Sequence, residues 1–196
     1  MEIILALGLG VTLSAASGFR LFVPPLALSL AALYGDLELS SGFEWVGTYP
    51  TAIALGIATV VEIFAYYIPV VDNFLDTIEI PTAVTIGTLL TAATLGDVDS
   101  LLLWWLIAAI AGGGTAGIIV AFTALTRLAF TGMTGGLGNF LVATTEALSS
   151  GVLSILALTI LPLAMALVLG LLILAIVRLT KFIAARKRKQ NRSSET

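Results

Sequence analysis

Cysteine and histidine are absent from this 196-residue chain, and charged residues make up only 11% of it. Without those two side chains we expect no disulfide, no thiol nucleophile, no histidine-ligated haem and none of the usual zinc sites. Chemistry is left to carboxylates, hydroxyls, carbonyls and arginines, and we predict neither a metal nor a cofactor. Hydrophobic residues make up 59% of the chain. That is more than a water-soluble domain of this size can bury, so the bilayer is the predicted solvent.

Basic residues are scarce and unevenly placed: six of the nine fall between Lys181 and Arg192. We therefore predict one transmembrane domain over residues 1–183 and a basic, disordered cytoplasmic tail at 184–196 that touches anionic lipid. The opening run MEIILALGLG has neither a basic segment nor a cleavage site, which favours a retained membrane segment over a signal peptide. No folded basic domain supports nucleic-acid binding. The predicted location is the cell inner membrane, with multiple passes.

Six apolar stretches predict an all-α, polytopic transmembrane helix bundle of about six spans. The first stretch, Ile3–Leu33, would reach about 46 Å as one helix, beyond the roughly 30 Å hydrocarbon core. It is interrupted at Ser17–Arg20 and at Pro24-Pro25, so we expect a broken or kinked helix. Six crossings place both termini in the cytoplasm. If the first stretch is instead a re-entrant pair, the N-terminus moves to the other side. The remaining stretches are Pro50–Ile68, Thr82–Leu95, Leu101–Phe130, Asn139–Ile160 and Pro162–Ile183.

Each half of the chain opens with a long interrupted stretch carrying one arginine, and each then presents one embedded glutamate. Arg20 is followed by Glu62, and Arg127 by Glu146. Interrupted segments in corresponding halves are typical of repeat-built transporters. Because the two halves share little residue identity, an internal repeat stays an open hypothesis. In the second half, Gly112–Gly114 makes the interruption, and its composition favours a helix-packing or kink site.

The four embedded charges are the first candidates for a solute- or ion-binding site. Each costs about 2.5–3.5 kcal/mol at the centre of a membrane helix, so it must pair, line water or lie near an interface. We expect Glu62 and Glu146 to face the bundle interior, because lipid cannot compensate for the desolvation of a charge. One interpretation of the four charges is a polar site at the centre of the bundle. The other is structural Arg–Glu pairing, or a side chain reaching the interface from a helix end. The sequence suggests Arg20 as the partner of Glu62.

An acidic segment lies between Pro69 and Pro81. Asp72, Asp76 and Glu79 follow i, i+4, i+7 spacing, so a helix would carry them on one face. That face could bind a hard cation, with Asp72 and Asp76 as candidate ligands, or be only the solvated side of an interfacial helix, which we favour. Proline cannot continue the hydrogen-bond ladder, so Pro81 should end the segment.

A glycine-rich loop precedes the fifth apolar stretch. Gly135, Gly136 and Gly138 allow close backbone approach, and the free N–H groups of a following helix, with Asn139, could bind an anion. The alternative is a tight helix–helix turn with Asn139 as N-cap, which we favour slightly.

Taken together, several of these strings resemble a bacterial membrane family catalogued as domain of unknown function 4126. The resemblance runs from about Leu5 to about Leu174. It implies a membrane placement and no mechanism. The strings are Ser17-Gly18-Phe19-Arg20, Glu62 with Ala65-Tyr66-Tyr67-Ile68-Pro69, Val71-Asp72-Asn73, Leu75-Asp76-Thr77-Ile78, Ala111-Gly112-Gly113-Gly114, and Thr134-Gly135-Gly136-Leu137-Gly138-Asn139 with Glu146.

These features predict a permease or channel for a small solute or ion. Glu62 and Glu146 would be the coupling or coordinating carboxylates, with Arg20 as counter-charge or anion contact. The alternative is a non-transporting membrane protein that handles lipid or scaffolds a partner complex. An enzyme is less favoured, since no nucleophile–base pair is visible. The expected partners are the lipid bilayer and the solute or ion, with a homo-oligomer possible.

Overall fold

A computed structural model describes residues 3–35, 37–96, 98–134 and 138–193, and the side chains of all of these except 69–77, 134 and 185–193. Within these ranges every regular element is helical, which confirms the predicted all-α bundle. The elements in order are α1 (Ile3–Ser17), α2 (Val23–Tyr34), a 3-10 turn (Glu44–Gly47), α3 (Tyr49–Ala65), α4 (Pro69–Thr94), α5 (Leu101–Ile107), a π-helical stretch (Ala108–Gly113), α6 (Gly114–Thr134), α7 (Asn139–Thr159) and α8 (Leu161–Ser193).

The outside of the bundle is apolar, as a lipid-facing surface should be. Large hydrophobic side chains such as Ile57, Leu148 and Leu169 are each more than half exposed. Three helices are long and apolar enough to cross a membrane, and four more apolar helices are shorter. The long ones cover Leu101–Met133, Asn139–Thr159 and Leu161–Ala184, and the shorter ones Ile3–Ser17, Val23–Tyr34, Tyr49–Ala65 and Ile78–Thr94.

Helix α1 runs antiparallel to α4. Gly10 lies against Thr94 at the end of α4. Further along α1, the Ser14 hydroxyl donates to the carbonyl of Gly87, near the middle of α4, at 2.7 Å. The N-terminal part of α1 therefore lies at the end of the bundle where α4 finishes, and α1 ends near mid-depth.

Helix α2 returns to the end from which α1 started. Just beyond α2, Ser40 donates its N–H to the Ala93 carbonyl at 2.8 Å and its hydroxyl to the Ala92 carbonyl at 2.7 Å. The same hydroxyl accepts from the Gly96 N–H at 2.9 Å. Two of these three contacts are with the last turn of α4, and the third is with Gly96, in the residue pair that follows it. Helices α1 and α2 thus form a hairpin whose turn, residues 18–22, lies inside the bundle.

This hairpin favours one of the two paths that the sequence left open for Ile3–Leu33. The break at Ser17–Arg20 is confirmed, and the two parts of the stretch fold back on one another, as a re-entrant pair would. At 15 and 12 residues, the two helices reach only about 22 and 18 Å. Each is shorter than the roughly 30 Å core, so each fits a half-depth excursion.

Helix α4 passes through Pro81 without ending, so the predicted boundary at that residue is wrong. Proline removes one backbone donor, and membrane helices tolerate this where neighbouring groups satisfy the freed carbonyl. The acidic segment is therefore the first part of a 26-residue helix. It is not a separate interfacial helix.

The π-helical stretch packs on α4 backbone to backbone. A Cβ atom on Gly112 would overlap the Gly87 carbonyl oxygen and the Thr91 hydroxyl, and one on Gly113 would lie 3.0 Å from the Val84 carbonyl oxygen. The packing role predicted for this glycine run is confirmed for Gly112 and Gly113, whereas Gly114 has nothing within 4 Å of an added Cβ. A π-bulge adds a residue to the turn without reversing the chain. The two interrupted stretches therefore differ, since α1–α2 turns back whereas α5–α6 continues.

We predict that Gly112→Ala destabilises the protein by roughly 1–3 kcal/mol, because the new methyl group forces α4 and the π-helical stretch apart. Gly114→Ala is the matched control, since nothing lies within 4 Å of its added Cβ and alanine favours helix over glycine by about 1 kcal/mol. Thermal unfolding in detergent measures both. Equal melting temperatures for the two variants would contradict the close contact.

Candidate functional site

Four charged side chains meet around the turn of the α1–α2 hairpin, and we call them the charged cluster: Arg20 from the turn, Glu62 from α3, Arg127 from α6 and Glu146 from α7. Their exposed fractions are 1%, 6%, 4% and 4%. The prediction that both glutamates face the bundle interior is confirmed. A buried charge is tolerated only when it is paired and hydrogen-bonded, so the contacts among the four define the site.

Glu146 is shared by both arginines. Its Oε1 accepts from Arg127 Nε at 3.1 Å, and its Oε2 contacts Arg127 Nη2. The same Oε2 lies 3.2 Å from Arg20 Nη2. Bidentate pairing between a guanidinium and a carboxylate is the strongest common form of ion pair. One carboxylate thus joins α7 to α6 and to the hairpin turn.

Glu62 holds the backbone of the turn. Its Oε1 accepts from the Leu21 N–H at 2.6 Å, and its Oε2 accepts from the Phe22 N–H at 3.0 Å. Those two N–H groups immediately precede α2, where unpaired donors and the helix dipole favour a negative charge. Glu62 therefore anchors the start of α2 from α3.

The structure gives Arg20 a different partner from the one that the sequence suggested. The turn presents its backbone N–H groups to Glu62, whereas the Arg20 side chain extends to α7. There its Nη2 donates to the Ala143 carbonyl at 2.8 Å and meets Glu146. The pair therefore joins the two halves of the chain, which is why matching residues within one half gave the wrong partner.

Tyr66 completes the site, although the sequence did not indicate it as a site residue. Its ring is 4% exposed and lies beneath both guanidinium groups, with Arg20 Cζ 3.8 Å and Arg127 Cζ 4.5 Å from the ring centroid. Desolvated contacts of this kind contribute about 2 kcal/mol or more. Tyr66 follows Glu62 by four residues, so helical spacing could have placed both on one face.

Glu79 is a second residue that the sequence did not place at the site. The sequence favoured a solvated face for the acidic segment, but Glu79 is only 4% exposed, so that interpretation is wrong for this residue. Its charge acts on the Tyr66 hydroxyl, together with those of the cluster residues Arg127, Arg20 and Glu62. The side chains of Asp72 and Asp76 lie outside the described residues.

The described end of the glycine-rich loop, Gly138 and Asn139, is not part of the charged cluster. Asn139 is the first residue of α7, with Gly138 as N-cap, so the predicted N-cap role of Asn139 is wrong. Its Oδ1 accepts instead from the Thr131 hydroxyl at 2.9 Å, across the α6–α7 connection. The buried Gly138 carbonyl accepts from the Leu141 N–H at 3.0 Å. Gly135 and Gly136 lie outside the described residues.

A cavity of about 220 Å³ reaches the cluster between α6 and α7. Glu146 lies on its wall, and so does Phe19, which precedes Arg20 in the turn. The other lining residues are Phe122, Thr123, Thr126, Phe130, Leu141, Val142, Thr145 and Ser149. The threonine hydroxyls donate to carbonyls of their own helices. Their lone pairs remain available to a solute or to water.

Residues 7–181 match the family described as Domain of unknown function (DUF4126). The chain belongs to this family. The match includes most of the hairpin, all four residues of the charged cluster, Tyr66 and Glu79, and it stops before the predicted tail at 184–196. Neither the curated proteins nor the solved structures contain a match to the chain. The function of this DUF4126 member must therefore be argued from the site.

We predict that Arg20 is coupled energetically to Glu146 more strongly than to Glu62. Glu146→Gln leaves buried guanidinium groups without their partner, and breaking such a pair typically costs about 3–5 kcal/mol. Adding Arg20→Gln should recover part of that loss. The melting temperatures of the single and double variants measure the coupling energy.

The control is the cycle that combines Arg20→Gln with Glu62→Gln. Because Glu62 binds backbone N–H groups, its loss should add to that of Arg20 with little rescue. Stronger rescue in the Glu62 cycle than in the Glu146 cycle would contradict the pairing described above.

Proposed function

We propose that this DUF4126 member is a permease or channel for a small solute or ion, with the charged cluster as its binding or coupling group. The observation that carries the proposal is the hairpin turn, which brings irregular backbone and Arg20 to mid-depth of an apolar bundle. Irregular backbone at membrane depth is tolerated only where it is enclosed by protein or lines a water-filled cavity. In transporters, such interrupted helices commonly form the substrate site.

The two ends of the hairpin turn support this interpretation. The Ala16 carbonyl at the end of α1 accepts from the Ser150 hydroxyl at 2.9 Å, and the N–H groups that begin α2 are bound by Glu62. Helix ends of opposite polarity therefore meet beside a set of balanced charges. A conformational change at this turn would expose polar groups of both signs.

A functional role explains the four buried charges better than a purely structural role does. Replacing a buried ion pair with well-packed apolar residues is often neutral or stabilising, so stability alone gives little reason for four buried charges. Ionisable residues inside a membrane bundle are characteristic of ion and proton pathways. The cavity that has Glu146 on its wall supplies a route to them.

For topology, we propose five crossings and one re-entrant hairpin in the cell inner membrane. The crossings are α3, α4, α5–α6, α7 and α8. Six of the nine basic residues lie at 181–192, which favours a cytoplasmic C-terminus. An odd number of crossings then puts the N-terminus on the opposite side.

Single cysteines in this cysteine-free chain test that topology. We expect Ile3→Cys to react with a membrane-impermeant maleimide in sealed right-side-out vesicles, and Ser194→Cys to react only after permeabilisation. The two positions serve as controls for one another. Protection of both positions in sealed vesicles would instead support six crossings.

Flux through proteoliposomes tests the function. We expect the purified chain to move at least one small ion or solute faster than empty liposomes, and Glu62→Gln to abolish most of that flux because the hairpin turn loses its anchor. Glu38→Gln, an exposed carboxylate outside the cluster, should leave flux unchanged. Absence of flux across a broad panel, together with a co-purifying protein or lipid, would favour the non-transporting alternative.

A further inference from the structure

An apolar cleft of about 160 Å³ lies between α3 and α4, with α2 as its floor. Helix α3 packs mainly on α2 and on the 3-10 turn, and this leaves space between α3 and α4. Leu55 of α3, Leu89 of α4 and Leu28 of α2 lie on the three sides of that space. We call it the apolar cleft.

The wall of the apolar cleft offers almost nothing to a polar ligand. Among the described residues that line it, only Thr51 and Trp45 carry a polar side-chain atom. The Thr51 hydroxyl already donates to the Trp45 carbonyl at 2.8 Å. An apolar protein cavity of about 150 Å³ stays dry and takes up hydrocarbon ligands. Water is therefore a poor occupant, and an empty cleft would lose the dispersion contacts of its lining side chains.

The apolar cleft extends over about one leaflet of the bilayer. At one end lies Phe22, where the hairpin turn meets α2 at mid-depth, and at the other lie Ala93, in the last turn of α4, and Trp45. Half of the hydrocarbon core is about 15 Å. Trp45 and Leu89 are 58% and 41% exposed, so the cleft is open to the surrounding lipid. This extent matches one acyl chain that enters beside an interfacial tryptophan and ends at mid-depth.

The end of the bundle at which the cleft opens is acidic. Glu38 and Glu44 lie on the connection from α2 to α3, Asp99 follows the end of α4, and all three are exposed. Residues 21–126, which include α2 to α5, contain no lysine or arginine. Uncompensated carboxylates repel an anionic headgroup and attract an ammonium group.

We infer that the apolar cleft binds one acyl chain of a phospholipid whose headgroup carries an ammonium group, such as phosphatidylethanolamine. The end of that chain contacts Phe22, whose N–H donates to Glu62 at 3.0 Å, so the lipid supports the hairpin turn. The cleft is too small for a helix of a second copy, which is about 10 Å wide. This inference does not depend on the proposed function, because the chain can hold a lipid whether or not it transports a solute.

Trp45 provides a direct readout, because it lines the apolar cleft whereas Trp104 and Trp105 do not. Replacing those two with phenylalanine leaves Trp45 as the only one of three tryptophans. The purified variant in detergent is titrated with phosphatidylethanolamine whose acyl chains carry bromine, which quenches tryptophan fluorescence on contact. We expect quenching to saturate at a low mole fraction of lipid. Phosphatidylglycerol with the same brominated chains should need a roughly threefold higher mole fraction, the size of effect expected from an exposed charge pair.

Blocking the cleft supplies the matched comparison. In the same variant of this cysteine-free chain, Leu89→Cys is modified with cyclohexylmaleimide, so that a bulky apolar group fills the cleft. The control is Ile57→Cys with the same reagent, because Ile57 is exposed on α3 but does not line the cleft. The adduct at position 89 should abolish the saturable quenching, and the adduct at position 57 should leave it unchanged.

Three results would overturn the inference: quenching that rises in proportion to the lipid fraction without saturating, quenching by phosphatidylglycerol at the same or a lower mole fraction, or equal quenching in the two adducts. A stable dimer that the adduct at position 89 disrupts would assign the cleft to a second copy instead. If the variant without Trp104 and Trp105 does not fold, the melting temperature of the wild-type chain decides. It should rise more with phosphatidylethanolamine than with phosphatidylglycerol, and an equal or smaller rise would overturn the inference.

Discussion

The structure depends on how the hairpin turn satisfies its backbone inside an apolar bundle. A polar backbone group without a partner costs several kcal/mol in hydrocarbon, and the turn between α1 and α2 presents such groups at mid-depth. Glu62 accepts the N–H groups of Leu21 and Phe22, and Ser150 donates to the Ala16 carbonyl. With the turn fixed from α3 and α7, Arg20 can reach Glu146, and Glu146 in turn joins Arg127. The charged cluster is therefore a consequence of the turn.

Small residues make room for this arrangement. Gly10 and Ser14 of α1 lie against α4, Gly18 lies under Ile119 of α6, and Gly87 meets Gly112 across α4 and the π-helical stretch. Helices in lipid gain little from a hydrophobic effect between them, so close van der Waals contact and interhelical hydrogen bonds hold them together. The hairpin is thus packed tightly on one side and bound by charge on the other.

Local patterns predicted much of this fold. Length and proline placement indicated the break at Ser17–Arg20, and the cost of charge in lipid indicated that Glu62 and Glu146 face inward. Reversal of the chain after the break was left open, because an apolar run has the same composition whether it crosses or returns. The partner of Arg20 was missed because it lies 126 residues away on α7, in the other half of the chain. The solvated position predicted for Glu79 was wrong. We took Pro81 as the end of the helix, as is usual in soluble proteins, whereas α4 continues through it and Glu79 is buried.

The central claim is that α1 and α2 return to one end of the bundle and so carry Arg20 to mid-depth. A distance between spin labels tests it most directly, with one label at Ile4→Cys and the other at Tyr34→Cys, both exposed positions in a cysteine-free chain. The hairpin predicts a separation well below the roughly 30 Å thickness of the hydrocarbon core. A separation near the roughly 46 Å that one continuous helix would span would contradict it.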